Sequence, residues 1–550
     1  MKKLFLSILG TALLFTACTK NQLPQIEQLP YRAVVEYEPG SYVMNVPGKL
    51  TPVEEDYGWI QHSQEGGKVT FNFSRNTTGR VRRAEYFIEG SSYKAVISQR
   101  VHKLDATVKT AIVKQTPGKI AICANLSTNF AGDYDRWGIF YSKKDDRKSA
   151  EKTLPFKERK PSDKVVSDTL IIEEVGEVDD YYFWSYVVST ENDTIYEKSS
   201  VKAIPPLCVP DGDVDLAKYV DKAKKNQEIR VKAAANCTPQ IDLENIYKSL
   251  KITGGWNNEF TEQSDTFSVI DGKGDFGIKC ADVEISYFEF KNCKSSEGGA
   301  AIHICGGPLT IHNCYFHDND GAASCIGMNE NDSSNELYAY NCRFEDNKSL
   351  CVSLGAGISE SNFVKAEIVN NLFAGNTGAG LLACNDFTQL NFVNNTVSDN
   401  TINASNSEGH YPGMKFSANT RVLLANNIIV GNFENSSDDH PEFVNLGGSR
   451  AVIVNNVIDK EVVAKDKVKK EENNEYIDLG SSGDVLDEDM LPKGKAIGKG
   501  VLDSFEPAFA GDKTENEVSV KDLLKKYNTD LAGNPRVVAD KVDAGCYQKQ

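Results

Sequence analysis

Apolar and polar residues alternate in short runs along much of the chain. LTIHNC, KAEIVNN, QLNFVNN and RVLLANN, all between residues 309 and 427, run into asparagine after a few alternating positions. A period of two predicts strands, and no helical period runs through this region. The runs also recur in register. Asn313, Asn341, Asn370, Asn394, Asn426 and Asn455 form one column, at spacings of 28, 29, 24, 32 and 29 residues. Phe316, Phe344, Phe373, Val397, Ile429 and Ile458 form an apolar column, which Phe290 extends upstream. Asn319, Asn347, Asn376, Asn400 and Asn432 form a third. A repeat of about 25–30 residues built from short strands and turns predicts a parallel β-helix with one coil per repeat. Equivalent side chains then stack about 4.8 Å apart. The apolar column fills the core, and asparagine, which tolerates left-handed backbone and can bond its counterpart in the next coil, makes the turn. Within NCYFHDN, Cys314 and His317 are the positions that vary between repeats, so the motif reads as scaffold rather than as a metal or catalytic cluster.

Residues 30–104 and 105–204 carry further alternating runs, such as GGKVTFNFSRNTTG and YYFWSYVVSTENDTIYE, and predict two β-sandwich modules. Pro205-Pro206 marks the boundary that follows. DVDLAKYVDKAKKNQ places Leu216, Tyr219, Val220 and Ala223 on one helical face and predicts a helix capping the first coil. The β-helix is expected over residues 205–460. Residues 461–550 are expected to form an irregular segment, wrapping the last coil, and a tail. The fold class expected is all-β: two N-terminal sandwiches followed by a right-handed parallel β-helix.

Several stretches resemble known families. The repeats, with YKSLKITGGWNNEF and SVIDGKG upstream, resemble right-handed β-helices of the pectate-lyase-like class. GGAAIHI with its Phe-x-x-Asn resembles repeats of polymorphic outer-membrane adhesins. DLAGNPRVVADKVDAGCYQ resembles the tail of choice-of-anchor Q proteins, with Gly545-Cys546-Tyr547-Gln548 where that family has Gly-Ala-Tyr-Glu. Trp59, GGKVTFNFSRNTTGRVRRA and KAVISQ resemble the BACON domains of Bacteroidetes, which implies carbohydrate or mucin binding. RWGIFYS and YYFWSYVVSTENDTIYE resemble strands of a fibronectin type III-like sandwich, with Trp137 and Tyr186 in its core.

The N-terminus adds a location. MKKLFLSILGTALLFTAC (residues 1–18) has two lysines, a short apolar run and small residues before Cys18, as in a lipoprotein signal peptide over residues 1–17. Residues 18–29 read as a polar tether. The chain is therefore expected at the outer membrane, facing the cell surface or the periplasm, and held by lipid on Cys18. A net charge of −17 argues against nucleic acid as a partner. The 13 cysteines show no C-x-x-C and no zinc spacing, so no metal site is expected. Export permits a Cys208–Cys237 disulfide; the cysteines between 280 and 384 read as buried thiols.

Two functional readings follow. One is a non-catalytic surface protein that presents a β-helix for glycan, mucin or cell-surface binding. The other is a polysaccharide lyase or glycosidase working in a groove of the β-helix. A lyase needs a base and a means of neutralising the uronate, often Ca²⁺ on carboxylates; a glycosidase needs two carboxyls. Otherwise no cofactor is implied. The best collection of such groups is His410, Tyr411 and Lys415, then Arg421, then Asp438, Asp439 and His440 one turn later. Trp59 and Trp184 are aromatic candidates for sugar stacking, although most such residues are core.

Overall fold

The motif NCYFHDN is a three-residue strand between two corners. Asn313 and Asp318 both take left-handed backbone, at φ 50° and 52°, and Tyr315–His317 runs between them. A left-handed residue turns the chain sharply, so its own side chain points out of the coil and the next one points in. Cys314 and Asn319 are accordingly buried. The next four repeats do the same, and the first corner recurs in two more. The first corner is Asn341, Asn370, Asn394, Asn426, Asn455 and Asn473, and the second is Asp346, Gly375, Asp399 and Gly431, all at positive φ.

The computed structural model describes residues 29–549, apart from 77, 79, 101–105, 129–133, 151, 157–164, 190–193, 245–247, 297, 321–323, 329–333, 360–361, 379, 404–412, 418, 436–443, 446–449, 460–461, 464–467, 479–480 and 506–517. The chain divides into two compact units, one ending at Pro205 and the other beginning at Pro206.

The second unit is the parallel β-helix. Among the described residues its three sheets hold eleven, eleven and nine strands, each pairing in parallel with the equivalent strand one coil on. Sheet I includes Leu250–Trp256, Val283–Ser286, Pro308–His312, Glu336–Tyr340, Val364–Val369, Thr388–Val393 and Arg421–Ala425. Sheet II includes Phe288–Lys291, Tyr315–His317, Arg343–Glu345, Leu372–Ala374, Thr396–Ser398 and Ile428–Val430. Sheet III includes Ile278–Cys280, Gly299–Ile304, Ser324–Met328, Leu350–Leu354, Leu382–Cys384 and Met414–Phe416. The apolar column stacks inside sheet II. Phe290, Phe316, Phe344 and Phe373 lie nearly parallel at centroid separations of 4.9, 4.6 and 4.8 Å. In the first coil a helix, α1 (Ala217–Lys222), stands in the chain position of a sheet III strand. It buries Leu216, Val220 and Ala223 in the common core, as its periodicity predicts.

Three expectations are corrected. The asparagine ladder lies mainly one residue beyond the predicted column, in which the Asn426 amide reaches Asn394 Oδ1 at 3.3 Å. Asn371, Asn395, Asn427, Asn456 and Asn474 point inward, and each amide oxygen accepts from the coil before it. Asn395 Oδ1 takes the backbone N–H of Asn371 at 2.9 Å and its amide at 3.1 Å, and Asn427 does the same for Asn395 at 2.9 and 3.3 Å. The column Asn319, Asn347, Asn376, Asn400 and Asn432 forms a second internal ladder, with amide-to-amide bonds of 2.8–2.9 Å. Second, the stack extends beyond residue 460: Val468–Glu472 and Glu475–Ile477 add to sheets I and II. The chain then returns along the outside instead of wrapping the last coil. Helix α2 (Val520–Lys526), capped by the Ser519 hydroxyl, buries Val520, Leu523 and Leu524 against Val369, Val393, Leu423 and Val452 on the outer face of sheet I. This is why RVLLA is apolar on both faces. Third, no disulfide joins Cys208 and Cys237, which stand on different sheets. Cys208 Sγ faces the Pro206 carbonyl, and Cys237 is buried.

The outward first column serves this returning tail. Asn370 donates to the carbonyl of Thr529 at 3.0 Å and Asn394 to that of Asp543 at 3.0 Å. Asn426 both donates to the Val501 carbonyl and accepts its N–H, each at 3.0 Å. Gly545, at φ 87°, comes so close to sheet II that a Cβ would lie 2.6 Å from the Thr396 hydroxyl. Cys546 is buried beside Leu372 and Ala374.

The first unit contains two sandwiches. In one, Lys68–Phe73 and its neighbours face Arg82–Ile88 and Lys94–Gln99 over Val69, Phe71, Tyr86 and Ile97. Trp59 packs at its edge beneath the Arg82 guanidinium, 4.7 Å away. In the other, Lys119–Thr128 and its neighbours face Tyr134–Ser142 and Tyr181–Ser189 over Ile122, Trp137, Ile139 and Phe183. Tyr186 is buried, but on the opposite face of its sheet from Trp137, in a cluster with Phe140, Trp184 and Val188. Tyr181, Phe183 and Val187 take the core side of that strand, so alternation leaves Tyr186 on the other.

Replacing Asn395 by leucine keeps its size but strips a partner from the buried Asn371 N–H. The expected loss is about 1–3 kcal/mol for the stranded group, seen as a lower urea midpoint. The same change at the exposed Asn258 is expected to leave the midpoint in place.

Candidate ligand-binding face

Alternation in sheet I fixes which residues face outward. Counting back from the first corner, the third residue and the residue just before it point away from the core. The third residues back are Glu284, Thr310, Tyr338 and Glu367; those just before the corner are Ser286, His312 and Tyr340. They stack in register along the coil axis. Lys251 Nζ lies 2.7 Å from Glu284 Oε1. His312 Nε2 approaches the same oxygen at 3.3 Å, and its Nδ1 faces the Asn313 amide nitrogen at 3.2 Å. With Nδ1 accepting from that amide, Nε2 carries the proton donated to Glu284. The His312 ring stacks on Tyr340 at 4.7 Å and 9°, and Tyr340 meets Tyr527 of the tail at 4.6 Å. The Tyr338 hydroxyl donates to Glu336 at 2.7 Å. Lys526 Nζ lies 2.6 Å from Glu367 and 4.4 Å above the Tyr338 ring. A shallow depression of about 230 Å³ opens at the Lys251 end, lined by Ser249, Lys251, Asp282, Glu284, Pro308 and Thr310 among others.

The electrostatics of this row are settled pairwise. The His312 hydrogen bond, reinforced by the Lys251 ammonium, holds Glu284 down at about 2 despite partial burial. Such a carboxylate is a fixed acceptor and a poor base. Burial raises Tyr340 and Tyr338 above the usual tyrosine range, with Glu336 adding to the rise at Tyr338, so both remain neutral hydrogen-bonding phenols.

The other faces differ. On sheet II, His317 Nε2 lies 2.9 Å from Glu289 and its Nδ1 2.7 Å from Asp318, and its ring stacks on Tyr315 at 4.4 Å. Arg343 bridges to both oxygens of Glu345 at 2.9 and 2.8 Å. On sheet III the outward column runs Lys279, His303, Gly327, Ser353, Ala383 and Lys415. Lys415 is thus on sheet III. Arg421 is on sheet I, stacked between Gln389 and Arg450, with its guanidinium 4.2 Å over Phe363. The two residues stand on different sheets, on either side of a turn. His410, Tyr411, Asp438, Asp439, His440 and Cys18 lie outside the described residues. Among the described residues no group of three or more His, Cys, Asp or Glu side chains could hold a metal ion.

One carboxyl behaves oppositely to Glu284. Burial lifts Asp459 to about 6, against the pull of the Gly431 and Asn432 amides, and the nearby Asp399 charge adds to the rise. Asp459 Oδ2 accepts the Gly431 N–H at 2.7 Å. A Cβ on Gly431 would lie 2.7 Å from Asp399, so the two acids flank that glycine.

The face built by Glu284, His312, Tyr338 and Tyr340 is absent from the sequence-derived candidates. Its signal is nonetheless present, in the columns one and three residues before the repeating asparagine.

Residues 242–397 match the family described as right handed beta helix region. This agrees with the parallel stacking and gives the hand. No curated protein matches the chain. The right-handed β-helix is a fold of lyases and of binding proteins alike.

Glu284 and Asp459 predict opposite pH dependences. An unfolded glutamate titrates near ~4.3. Glu284 titrates lower, so its stabilisation is full above that value and lost as pH falls through about 2. Glu284→Gln should therefore lower the urea midpoint at neutral pH, with the gap closing on acidification. An unfolded aspartate titrates near ~3.9. Asp459 titrates higher, so ionising it destabilises the fold as pH rises through about 6. Asp459→Asn should raise the midpoint at neutral pH and leave it unchanged in acid.

Proposed function

We propose that the chain is a cell-envelope lipoprotein that holds a right-handed β-helix away from the membrane to bind glycan or mucin without turning it over. The observation that carries this reading is the stacked row on sheet I. A fixed carboxylate, an imidazole, the two tyrosine rings of one coil and a second carboxylate follow one another along it, coil by coil, at the spacing of about 4.8 Å. A row of that kind suits an extended polymer that offers hydroxyls and apolar sugar faces in turn. Pairing supports binding over catalysis. Glu284 is committed to Lys251 and His312, and Glu367 to Lys526 and Tyr527. A general base must be free to accept a proton near neutral pH, and a general acid needs a raised pKa. In this reading lipid on Cys18 supplies the membrane contact, residues 18–29 the tether and the two sandwiches the spacing.

Asp459 favours a second reading. A carboxyl raised to about 6 beside a second acid, Asp399, has the character of a glycosidase acid. A lyase using Ca²⁺ belongs to the same alternative.

The test is a polysaccharide panel presented to the protein without its lipid anchor, scored for binding, for new reducing ends and for the ultraviolet absorbance of unsaturated uronides. Retention without product, weakened at least tenfold by Tyr338→Ala, is expected. Product formation abolished by Asp459→Asn would overturn the binding-only reading.

A further inference from the structure

The outer face of one sheet in the second sandwich carries an unusual load of aromatic residues. Tyr181, Phe183 and Val187 turn into the sandwich core, whereas Tyr182, Trp184, Tyr186 and Val188 turn the other way. Phe140 and Tyr196 join them from neighbouring strands. Phe140 stacks on Trp184 at 5.5 Å and 16°, and Tyr196 meets Phe140 edge-on at 5.6 Å. A face of this kind would ordinarily be solvated and polar. Residues 143–150 fold over part of it. Arg147 lies 4.9 Å above the Tyr196 ring and donates to the Glu197 carbonyl at 3.3 Å.

Between that segment and residues 198–200 an open cleft of about 560 Å³ remains, walled by Trp184. This is within the size range of small-molecule sites. Its rim is Asp145, Asp146, Arg147, Lys148, Lys198, Ser199 and Ser200. Both acids already hold bonds. Asp145 accepts from the Ser200 hydroxyl at 2.6 Å, and Asp146 caps the Lys148 N–H at 3.0 Å. Among the described residues the ammonium groups of Lys148 and Lys198 form no ion pair. The cleft is therefore locally cationic in a chain of net charge −17. Such a reversal concentrates small anions against the field of the whole molecule.

We infer that this cleft binds an acidic saccharide, its carboxylate or sulfate facing Lys148, Lys198 and Arg147 and its hydroxyls bonding to Asp145, Asp146 and the two serines. The mixed rim selects this class. Asp145 and Asp146 accept from sugar hydroxyls, which are donors, but repel the closely spaced charges of an acidic peptide. The inference takes its ligand class from the proposed function, but its site lies on a different unit of the chain.

Titration calorimetry on the whole chain without its lipid anchor tests it, with oligogalacturonate, sialyllactose and sulfated disaccharides as acidic probes, a neutral oligosaccharide and an acidic hexapeptide. At least one acidic saccharide is expected to bind, more weakly as salt rises, with at least tenfold loss in Lys198→Glu and in Lys148→Glu. Both lysines are exposed, so a circular dichroism spectrum like the parent's is expected and checks that the fold survives. Tyr338→Ala, which probes the β-helix face, should leave this binding intact. Binding lost in Tyr338→Ala but kept in both lysine variants would overturn the cleft and leave the β-helix reading standing. No binding by any acidic saccharide, equal binding of the neutral sugar, or tighter binding of the peptide would also overturn it.

Discussion

The second unit depends on satisfying backbone amides where the chain turns inside its own core. A coil that bends sharply at a left-handed residue leaves the next N–H facing inward, beyond reach of water. Such a group costs about 1–3 kcal/mol when unpaired. In coil after coil the answer is the same: the amide oxygen of an asparagine one coil on accepts that N–H, while its own nitrogen donates to a carbonyl further back. Asn395 illustrates both halves, accepting from Asn371 and donating to the Ile368 carbonyl at 2.8 Å. Asparagine meets this demand because one short side chain carries both an acceptor and a donor. Where the ladder changes to Cys314 and Cys342, the apolar thiol fills the space and donates to a backbone carbonyl instead.

The corners also set which residues face outward. With both ends of each sheet II strand pinned, the register cannot slip without driving core residues into water. The outward columns are then free to vary. Along sheet I they pass from Glu284, His312 and Tyr340, which are polar or aromatic, to Val369, Val393 and Ala425, which the tail covers. One scaffold thus carries a polar, partly open half and a covered half.

Much of this was legible in the sequence. The spacing of Phe316, Phe344 and Phe373 gives the stack, and the Leu216–Val220–Ala223 stripe gives the capping helix. Asn313 and its successors are correctly placed at a turn, but the ladder belongs mainly to their neighbours. Sequence alone cannot separate the two, because NN offers an asparagine to both roles and only backbone handedness assigns them. The candidate face was hidden for a related reason. His312 and Glu284 are 28 residues apart and meet only through stacking, whereas polar groups close together in the sequence, such as those near His410, stand out at once. The path of the tail over sheet I was not legible either, since its helix is too short to reveal what its apolar side covers. Tyr186 shows the limit of a resemblance: it is buried as implied, but on the other side of its sheet.

The outward asparagine column has a further consequence. An array of coils is by itself a one-dimensional object, in which each unit feels only its neighbours and the ends can fray independently. The tail breaks that locality. Thr529 meets Asn341 across 188 residues of sequence and Asp543 meets Asn394 across 149. Since the rail of amides exists only once several coils are stacked, the tail can dock only on a finished stretch. Closing loops of that length carries a greater entropic cost than the stacking of neighbouring coils does. Once docked, the tail ties the fraying of one coil to that of the next, so this stretch of the array opens as one block.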